Sequence, residues 1–350
     1  MRYFSPILQT ARGHHPSTYL APATSIIKLN SNENPYAPSP KALAALQTME
    51  GEWLRRYPDP YAQEFCTIAA AILGIPENWL IVGNGCDDLL GLLIRACGNC
   101  ESTIVYPTPT YGLYSILGEL CGAPVQEIAY PPNNHLPIEQ LLQAAGALTL
   151  IASPNSPSGH QVPLQELRRL AEGVAGILAI DEAYVDFGDH SALELIHDYD
   201  HVILLRTLSK GYSLAGLRFG FGIAQPSLLE GLFKLKDSYS VDAIAIYVAA
   251  AAIADQSYKD DCIRQIKSDR THLTESLRQL NFHVSPSYGN FVLAEHNSSQ
   301  DLHNALREHN IWVRHFQQPG LDNKLRITVG TPEQNQTLLE TLARIIEVKI

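Results

Sequence analysis

The chain has 350 residues, 45% of them hydrophobic and 17% charged, which fits a compact soluble protein of about two domains. Its formal net charge is -11 and it has no lysine- or arginine-rich block, which argues against nucleic acid or an anionic membrane surface as a partner. Any anionic substrate must then be held by a few local arginines rather than steered by the field of the whole molecule.

The first ten residues, MRYFSPILQT, carry one arginine and a proline-interrupted apolar patch, unlike a signal peptide. Residues 1–40 lack a clear period and are rich in proline and asparagine. They read as an N-terminal segment partly packed on a smaller domain. Helical spacing begins at PKALAALQTM. After Arg56 strands and helices alternate. WLIVGNG, STIVYP, LTLIASPN, GILAIDEAY and HVILLRT read as strands, and DDLLGLLIRAC, TYGLYSILGELC and PLQELRRLAEGV as helices. Short, continuously apolar strands separated by amphipathic helices predict a largely parallel sheet covered on both faces. The longest apolar run, Ala243 to Ala254, is too short to span a bilayer and reads as a buried helix. Residues 41–254 are therefore expected to form a large α/β domain. Residues 255–350 read as a smaller α+β domain, with a long helix, three strand-like stretches, a helix around Leu302 to Glu308 and a final helix.

Three strands end in unusual polar residues: Ser153-Pro154-Asn155, Asp181-Glu182-Ala183-Tyr184 and Thr207-Leu208-Ser209-Lys210. In an open α/β sheet ligands bind beyond the carboxyl ends of the strands, so these side chains are expected to converge on one crevice. The set suits pyridoxal phosphate. A lysine forms a Schiff base with the aldehyde, and an aspartate keeps the pyridine nitrogen protonated. Asparagine and tyrosine donors hold the phenolate oxygen. GNGCDDLL places a glycine-rich turn at a helix start, a natural anion site, which Ser209 and Arg218 would complete. Tyr111, after YPTPT, is positioned to stack on the ring.

Each element alone has an ordinary explanation: a turn, a helix cap, a solvated lysine, a packed tyrosine. Their joint occurrence in order, at crossover spacing, is what points to the cofactor. A nucleotide-binding module is disfavoured because GxxxxGK[ST] is absent. Cys97 and Cys100 form a lone CxxC, and His197 and His201 lack a third ligand, so no metal site is expected. The six cysteines read as reduced thiols of a cytoplasmic enzyme.

KLNSNENPYAPSP, RRYPDP, GNGCDDLL, YPTPTYGLY, SPNSPSG, AIDEAYVDF, RTLSKGYSLAGLRFG and LRITVGTPEQN together resemble the histidinol-phosphate aminotransferases, fold-type I enzymes dependent on pyridoxal 5'-phosphate. The resemblance spans about residues 28 to 335. It implies an amino-group transfer between L-histidinol phosphate and 2-oxoglutarate, giving imidazole-acetol phosphate and glutamate. It also implies the residue roles. Lys210 would bond the cofactor, Asp181 would pair with the pyridine nitrogen, Tyr184 would bond the phenolate oxygen and Tyr111 would stack on the ring. Cys86, Asp87, Ser209 and Arg218 would bind the phosphate. Tyr57 would reach the phosphate of the other subunit of a homodimer. Arg314 and Arg326 would hold the substrate's anionic group, assisted by Tyr19. The family often carries two asparagines before Pro-Thr-Gly. Here the stretch is PNSPSG, and Asn155 is taken as the phenolate donor, with Ser156 at the second position. The helix start reads Cys86-Asp87-Asp88 where Ser/Ala-Asp-Glu is usual. Two other activities share the fold and its arginines: aromatic amino acid transamination, and decarboxylation of a phosphorylated amino acid.

Overall fold

The structure, a computed structural model, describes residue 3, residues 6–9, residue 13 and residues 25–349. Tyr19 lies outside the described residues. Among the described residues twelve strands form two sheets. They are β1 (Ile27–Leu29), β2 (Leu80–Gly83), β3 (Ile104–Thr108), β4 (Val125–Ala129), β5 (Leu148–Ala152), β6 (Ile177–Asp181), β7 (Val202–Thr207), β8 (Gly220–Ile223), β9 (His283–Val284), β10 (Phe291–Glu295), β11 (Ile311–His315) and β12 (Lys324–Thr328).

The larger sheet has the order β2-β8-β7-β6-β5-β3-β4. The pairs β4–β3, β3–β5, β5–β6 and β6–β7 are parallel. All five residues of β5 are buried, as are Leu178 to Asp181 of β6 and Val202 to Leu205 of β7. That is the continuous apolar character of strands covered on both faces. β8 alone runs antiparallel, to β7 on one side and β2 on the other. The cause is the connection. Residues 208–219 return directly to the sheet, and a direct return forces the antiparallel sense, whereas parallel neighbours need a crossover.

That arrangement fixes the site. The carboxyl ends of β2, β5, β6 and β7 lie at one edge of the sheet, with Gly83 and Thr207 both paired to Gly220. Gly220 must be glycine, because a Cβ there would sit 2.6 Å from the Cys86 nitrogen. Helix Cys86–Cys97 starts at this edge and buries Leu89, Leu90, Leu92, Leu93 and Ile94 under the sheet. Helix Ala243–Ile253 is apolar all round and correspondingly buried, and its start is capped by the Asp242 side chain, which accepts from the Ala245 nitrogen at 2.9 Å.

The smaller sheet has the order β1-β11-β12-β10-β9. Its core is built from Val292, Ala294, Leu325 and Ile327 against Leu273, Leu277 and Leu338 of the flanking helices. β1 comes from the N-terminal segment and pairs in parallel with β11. Residues 30–36 then pass from the small sheet toward the edge of the large one. Asn32 accepts from the Thr328 hydroxyl at 3.1 Å, and Asn34 donates to the Lys210 carbonyl at 3.1 Å.

Candidate active site

Lys210 emerges three residues after β7, on the connection that β8 closes. It is half-buried, and its Nζ donates to the Ser31 carbonyl at 3.2 Å and lies 5.8 Å from the centre of the Tyr184 ring. The cavity it faces has a volume of ≈ 300 Å³ and is lined also by Cys86, Asp87, Tyr111, Ser156, Asp181, Tyr184, Ser209 and Arg218. Eight of these nine residues were expected at the site from the sequence. They arrive from three strand ends and one helix start.

Asp181 ends β6 and is 6% exposed. Burial raises its pKa to about 6, against hydrogen bonds from the Tyr114 hydroxyl and the Ala183 nitrogen that favour the charged form. Those bonds measure 2.8 and 3.0 Å. A buried carboxylate held this way is ready for a cationic partner, because a positive charge beside it restores the ionised form.

The residues expected to form an anion cradle lie beside it. Helix Cys86–Cys97 has Gly85 as its N-cap, with no side-chain cap, so its first amides remain available to a ligand. Gly85 takes φ +82°, and a Cβ on it would lie 2.6 Å from Arg218 Nη2. Arg218, itself in the left-handed region at φ 55°, turns its guanidinium over this turn. It donates to Asp87 Oδ2 at 3.3 Å and to the Ser209 hydroxyl at 3.5 Å. The Arg218–Asp87 pair is about half exposed and therefore weak, so the guanidinium can turn to an oxyanion. Burial, together with Asp181 and Asp87, pushes the Cys86 thiol well up, so it stays neutral in the cradle. Tyr111 donates to Asp87 Oδ1 at 3.1 Å and stands edge-on to Tyr114.

Asn155 differs from its expected position. It is fully buried and does not line the cavity. Its Nδ2 donates to the Pro109 carbonyl at 3.0 Å and to Ser158 Oγ at 2.7 Å, and its Oδ1 accepts from the Thr110 hydroxyl at 2.7 Å. Its amide ties the loop after β5 to the loop after β3. The lining residue is Ser156, whose Oγ accepts from Arg326 Nη1 at 2.9 Å.

Arg326 on β12 and Arg314 on β11 are direct cross-strand partners, so their side chains leave the same face of the small sheet. Arg326 also donates to the Asn30 carbonyl at 2.9 Å and lies over the Phe291 and Phe316 rings. Its buried Nε has no partner among the described residues. Burial lowers its pKa, and the Arg314 charge lowers it further. A buried donor without a partner beside a second cation is a place for an oxyanion. Arg314 is exposed, over Phe316, and neither arginine is among the residues lining the cavity.

Tyr57 does not reach this cavity in its own chain. It is 80% exposed and stacked on Tyr239 with ring centres 4.4 Å apart.

Sequence reasoning missed the supports. Asn32 donates to the Tyr184 hydroxyl at 2.9 Å, and Ser31 and Glu33 line the cavity. NENP was visible as a motif, but its roles depend on Thr328 and Lys210, far along the chain. Tyr114 was also missed, though its spacing of three from Tyr111 at a helix start was the available signal.

Residues 24–342 match the protein family described as aminotransferase class I and II. A histidinol-phosphate aminotransferase of Trichormus variabilis is 54% identical over 346 residues, 98% of this chain and 99% of that protein. One from Citrifermentans bemidjiense is 39% identical over 335 residues, 95% of each chain. The crystal structure of histidinol-phosphate aminotransferase from Sinorhizobium meliloti, in complex with pyridoxal-5'-phosphate, superposes with a TM-score of 0.89 at 24% identity, covering 100% of this chain and 99% of that one. At that identity the likeness establishes the fold.

Proposed function

The chain belongs to the class I and II aminotransferases and, within them, to the histidinol-phosphate aminotransferases, and from that premise we propose that it moves an amino group between L-histidinol phosphate and 2-oxoglutarate in histidine biosynthesis. The cofactor is pyridoxal 5'-phosphate, and the products are imidazole-acetol phosphate and glutamate. The observation that carries this reading is the lining of one cavity by Lys210, Asp181, Tyr184, Ser209 and Arg218. The donor set fits the cofactor. Ser209, Arg218 and the uncapped helix start at Cys86 and Asp87 would hold its phosphate, Asp181 its ring nitrogen, Tyr184 its ring oxygen, Tyr111 its face, and Lys210 its reactive carbon. When bound, pyridoxal phosphate supplies a carbonyl that takes up amino groups and a ring that accepts the electron pair released at the substrate's Cα.

The chain's own residues do the rest. Lys210 Nζ, once free, would take the proton from the substrate's Cα and deliver it to the carbon on the far side of the amino nitrogen, two atoms away. Asp181, ionised against the ring nitrogen, would keep that nitrogen protonated. Asn32 fixes the Tyr184 hydroxyl, and Asn34 fixes the backbone carrying Lys210. Asn155 holds the cavity wall from behind.

Histidinol phosphate has no α-carboxylate, so its phosphate is its strongest handle, while glutamate presents carboxylates to the same place. Arg326 with Arg314 suits both, because a planar guanidinium accepts either oxyanion bidentately. Tyr57, Tyr239, Trp53, Leu54 and Tyr61 are all exposed, and apolar exposure of this kind supports burial in a homodimer, with Tyr57 reaching the partner's phosphate site. No helix among the described residues is long and apolar enough to cross a membrane, and six free cysteines support a cytoplasmic setting.

Steady-state kinetics with histidinol phosphate, phenylalanine and tyrosine test the assignment. Histidinol phosphate should show the highest kcat/KM, with glutamate formed from 2-oxoglutarate in equal amount. A preference for the aromatic amino acids, or release of carbon dioxide, would assign the chain to another reaction.

A further inference from the structure

The residue after Lys210 is a glycine that its own backbone does not require. Gly211 is buried, and its φ lies outside the left-handed region. What excludes a side chain there is Asp186. A Cβ on Gly211 would overlap Asp186 Oδ2 and lie 2.7 Å from its Cγ and 3.0 Å from its Cβ. The Asp186 carboxylate therefore lies directly against the Gly211 Cα. Asn34 Nδ2 holds the carbonyls of the same stretch, donating to that of Lys210 at 3.1 Å and to that of Gly211 at 3.4 Å.

Packing alone does not keep Asp186 in place. A cavity of ≈ 90 Å³, lined in part by Asp186, Arg206, Tyr212 and Lys259, leaves the carboxylate room to turn away. Lys259 holds it. The Lys259 Nζ lies 3.5 Å from Asp186 Oδ1, and the two side chains are only 14% and 16% exposed. That Nζ also donates to Gln256 Oε1 at 2.9 Å, lies 3.2 Å from the more exposed Asp260 and stands 5.5 Å from the centre of the Tyr212 ring.

The anchors of Asp186 lead to the smaller sheet. Lys259 is in helix Gln256–Gln279, whose Ile263, Ile266, Leu273 and Leu277 belong to that sheet's core. Phe187, next to Asp186 in the turn Val185–Phe187, is fully buried in the same core. Lys267 of the helix donates to the Gly188 carbonyl at 2.8 Å. One residue of this turn thus touches the neighbour of the reacting lysine, and the next is built into the layer that carries Arg326.

Resting on the cofactor reading above, we propose that Asp186 is a positioning residue for the reaction. Held by Lys259, it sets the placement of the Lys210 backbone and ties that placement to the smaller sheet. Neither Asp186 nor Lys259 lines the cavity that Lys210 faces, so both act through Gly211 rather than on substrate or cofactor. A methyl added at residue 211 must open the contact to an ordinary separation of about 3.5–4.0 Å, a shift of roughly 1 Å. Misplacing a reacting group by roughly 1 Å can cost about a hundredfold in rate.

The experiment measures kcat and KM of each holoenzyme with histidinol phosphate and, separately, the affinity of each apoenzyme for pyridoxal 5'-phosphate by absorbance titration. Gly211→Ala should lower kcat by about tenfold to a hundredfold, leave KM within about twofold because Arg326 and Arg314 are untouched, and weaken cofactor binding. Asp186→Ala frees the space, so the Gly211→Ala/Asp186→Ala protein should outperform Gly211→Ala alone, whereas two unrelated structural losses would multiply. Lys259→Met, which keeps an unbranched stem beside Tyr212, should lower kcat several-fold with KM unchanged, and Lys259→Arg should restore most of it. Wild-type kcat and cofactor affinity in Gly211→Ala overturn the positioning role, and so does a double variant whose losses multiply. If Gly211→Ala does not fold, Lys259→Met decides alone, and unchanged kcat and affinity there overturn the proposal. A wild-type protein with no absorbance band tied to Lys210 would instead overturn the cofactor reading, a result distinguishable from these.

Discussion

Replacing Asp181 with asparagine should stabilise the cofactor-free protein at neutral pH while disabling its chemistry. Burial raises the Asp181 pKa from 3.8 to about 6 in the folded chain. A carboxyl with a raised folded pKa binds its proton more tightly folded than unfolded. Its contribution to stability is therefore complete below about pH 4 and is lost as pH rises through about 6. A gap of roughly two units, at about 1.4 kcal/mol each, amounts to about 3 kcal/mol. Asparagine cannot ionise and escapes this loss. Its Oδ1 still accepts from the Ala183 nitrogen, and the Tyr114 hydroxyl can rotate to accept from its Nδ2 where it now donates to the carboxylate. Urea unfolding of the two apoproteins at about pH 4 and about pH 8 reads the difference. The stability gap between variant and wild type should widen by about 3 kcal/mol over that range. Adding pyridoxal phosphate should then favour the wild type, because the ring cation gives Asp181 a partner and a ligand bound to the native state stabilises it. A gap that does not change with pH would refute the claim that Asp181 is held at an energetic cost.

Two further outcomes are expected. Arg326→Ala should lower kcat/KM at least tenfold with both histidinol phosphate and glutamate, the effect of losing a charge-assisted contact worth about 1.5–3 kcal/mol, and Arg326→Lys should restore only part. Steady-state rates of both half-reactions check this, and unchanged values would place the anion pocket elsewhere. Tyr57→Phe should weaken cofactor retention. Mixing an inactive Lys210→Ala protein with a severely impaired Tyr57 variant should recover activity if subunits exchange and share sites, whereas a fully active monomer in sedimentation would rule this out.

The large sheet was readable where its strands are long, apolar and separated by amphipathic helices, as in β5, β6 and β7. The lysine connection, the Asp181 strand end and the helix start at Cys86 were readable for the same reason: each sits at a fixed offset from such a strand. β8 was not foreseen, because four residues with two glycines, Gly220-Phe221-Gly222-Ile223, carry a turn's composition, and the strand is defined by pairing on both sides. β1 was hidden by its three-residue length and its dependence on β11. The choice between Asn155 and Ser156 depends on which side chain a loop turns inward, and loops have no periodicity to report it. Neighbours such as Thr110 and Arg326 decide it.

The pairing of β1 with β11 also bears on the order in which the chain can assemble. Synthesis releases Ile27 first and its partner Ile311 only after nearly the whole chain has followed. Likewise β2 remains without its neighbour until β8 is made. Loop closure over such separations is slow relative to local helix formation, and the unpaired edges stay exposed meanwhile. The strap at residues 30–36 is anchored by Thr328 at one end and by the Lys210 and Gly211 carbonyls at the other, so it can settle only once both sheets exist. The pocket is therefore completed at the end of folding, and a nascent or C-terminally truncated chain would hold Lys210 without the backbone contacts that aim it.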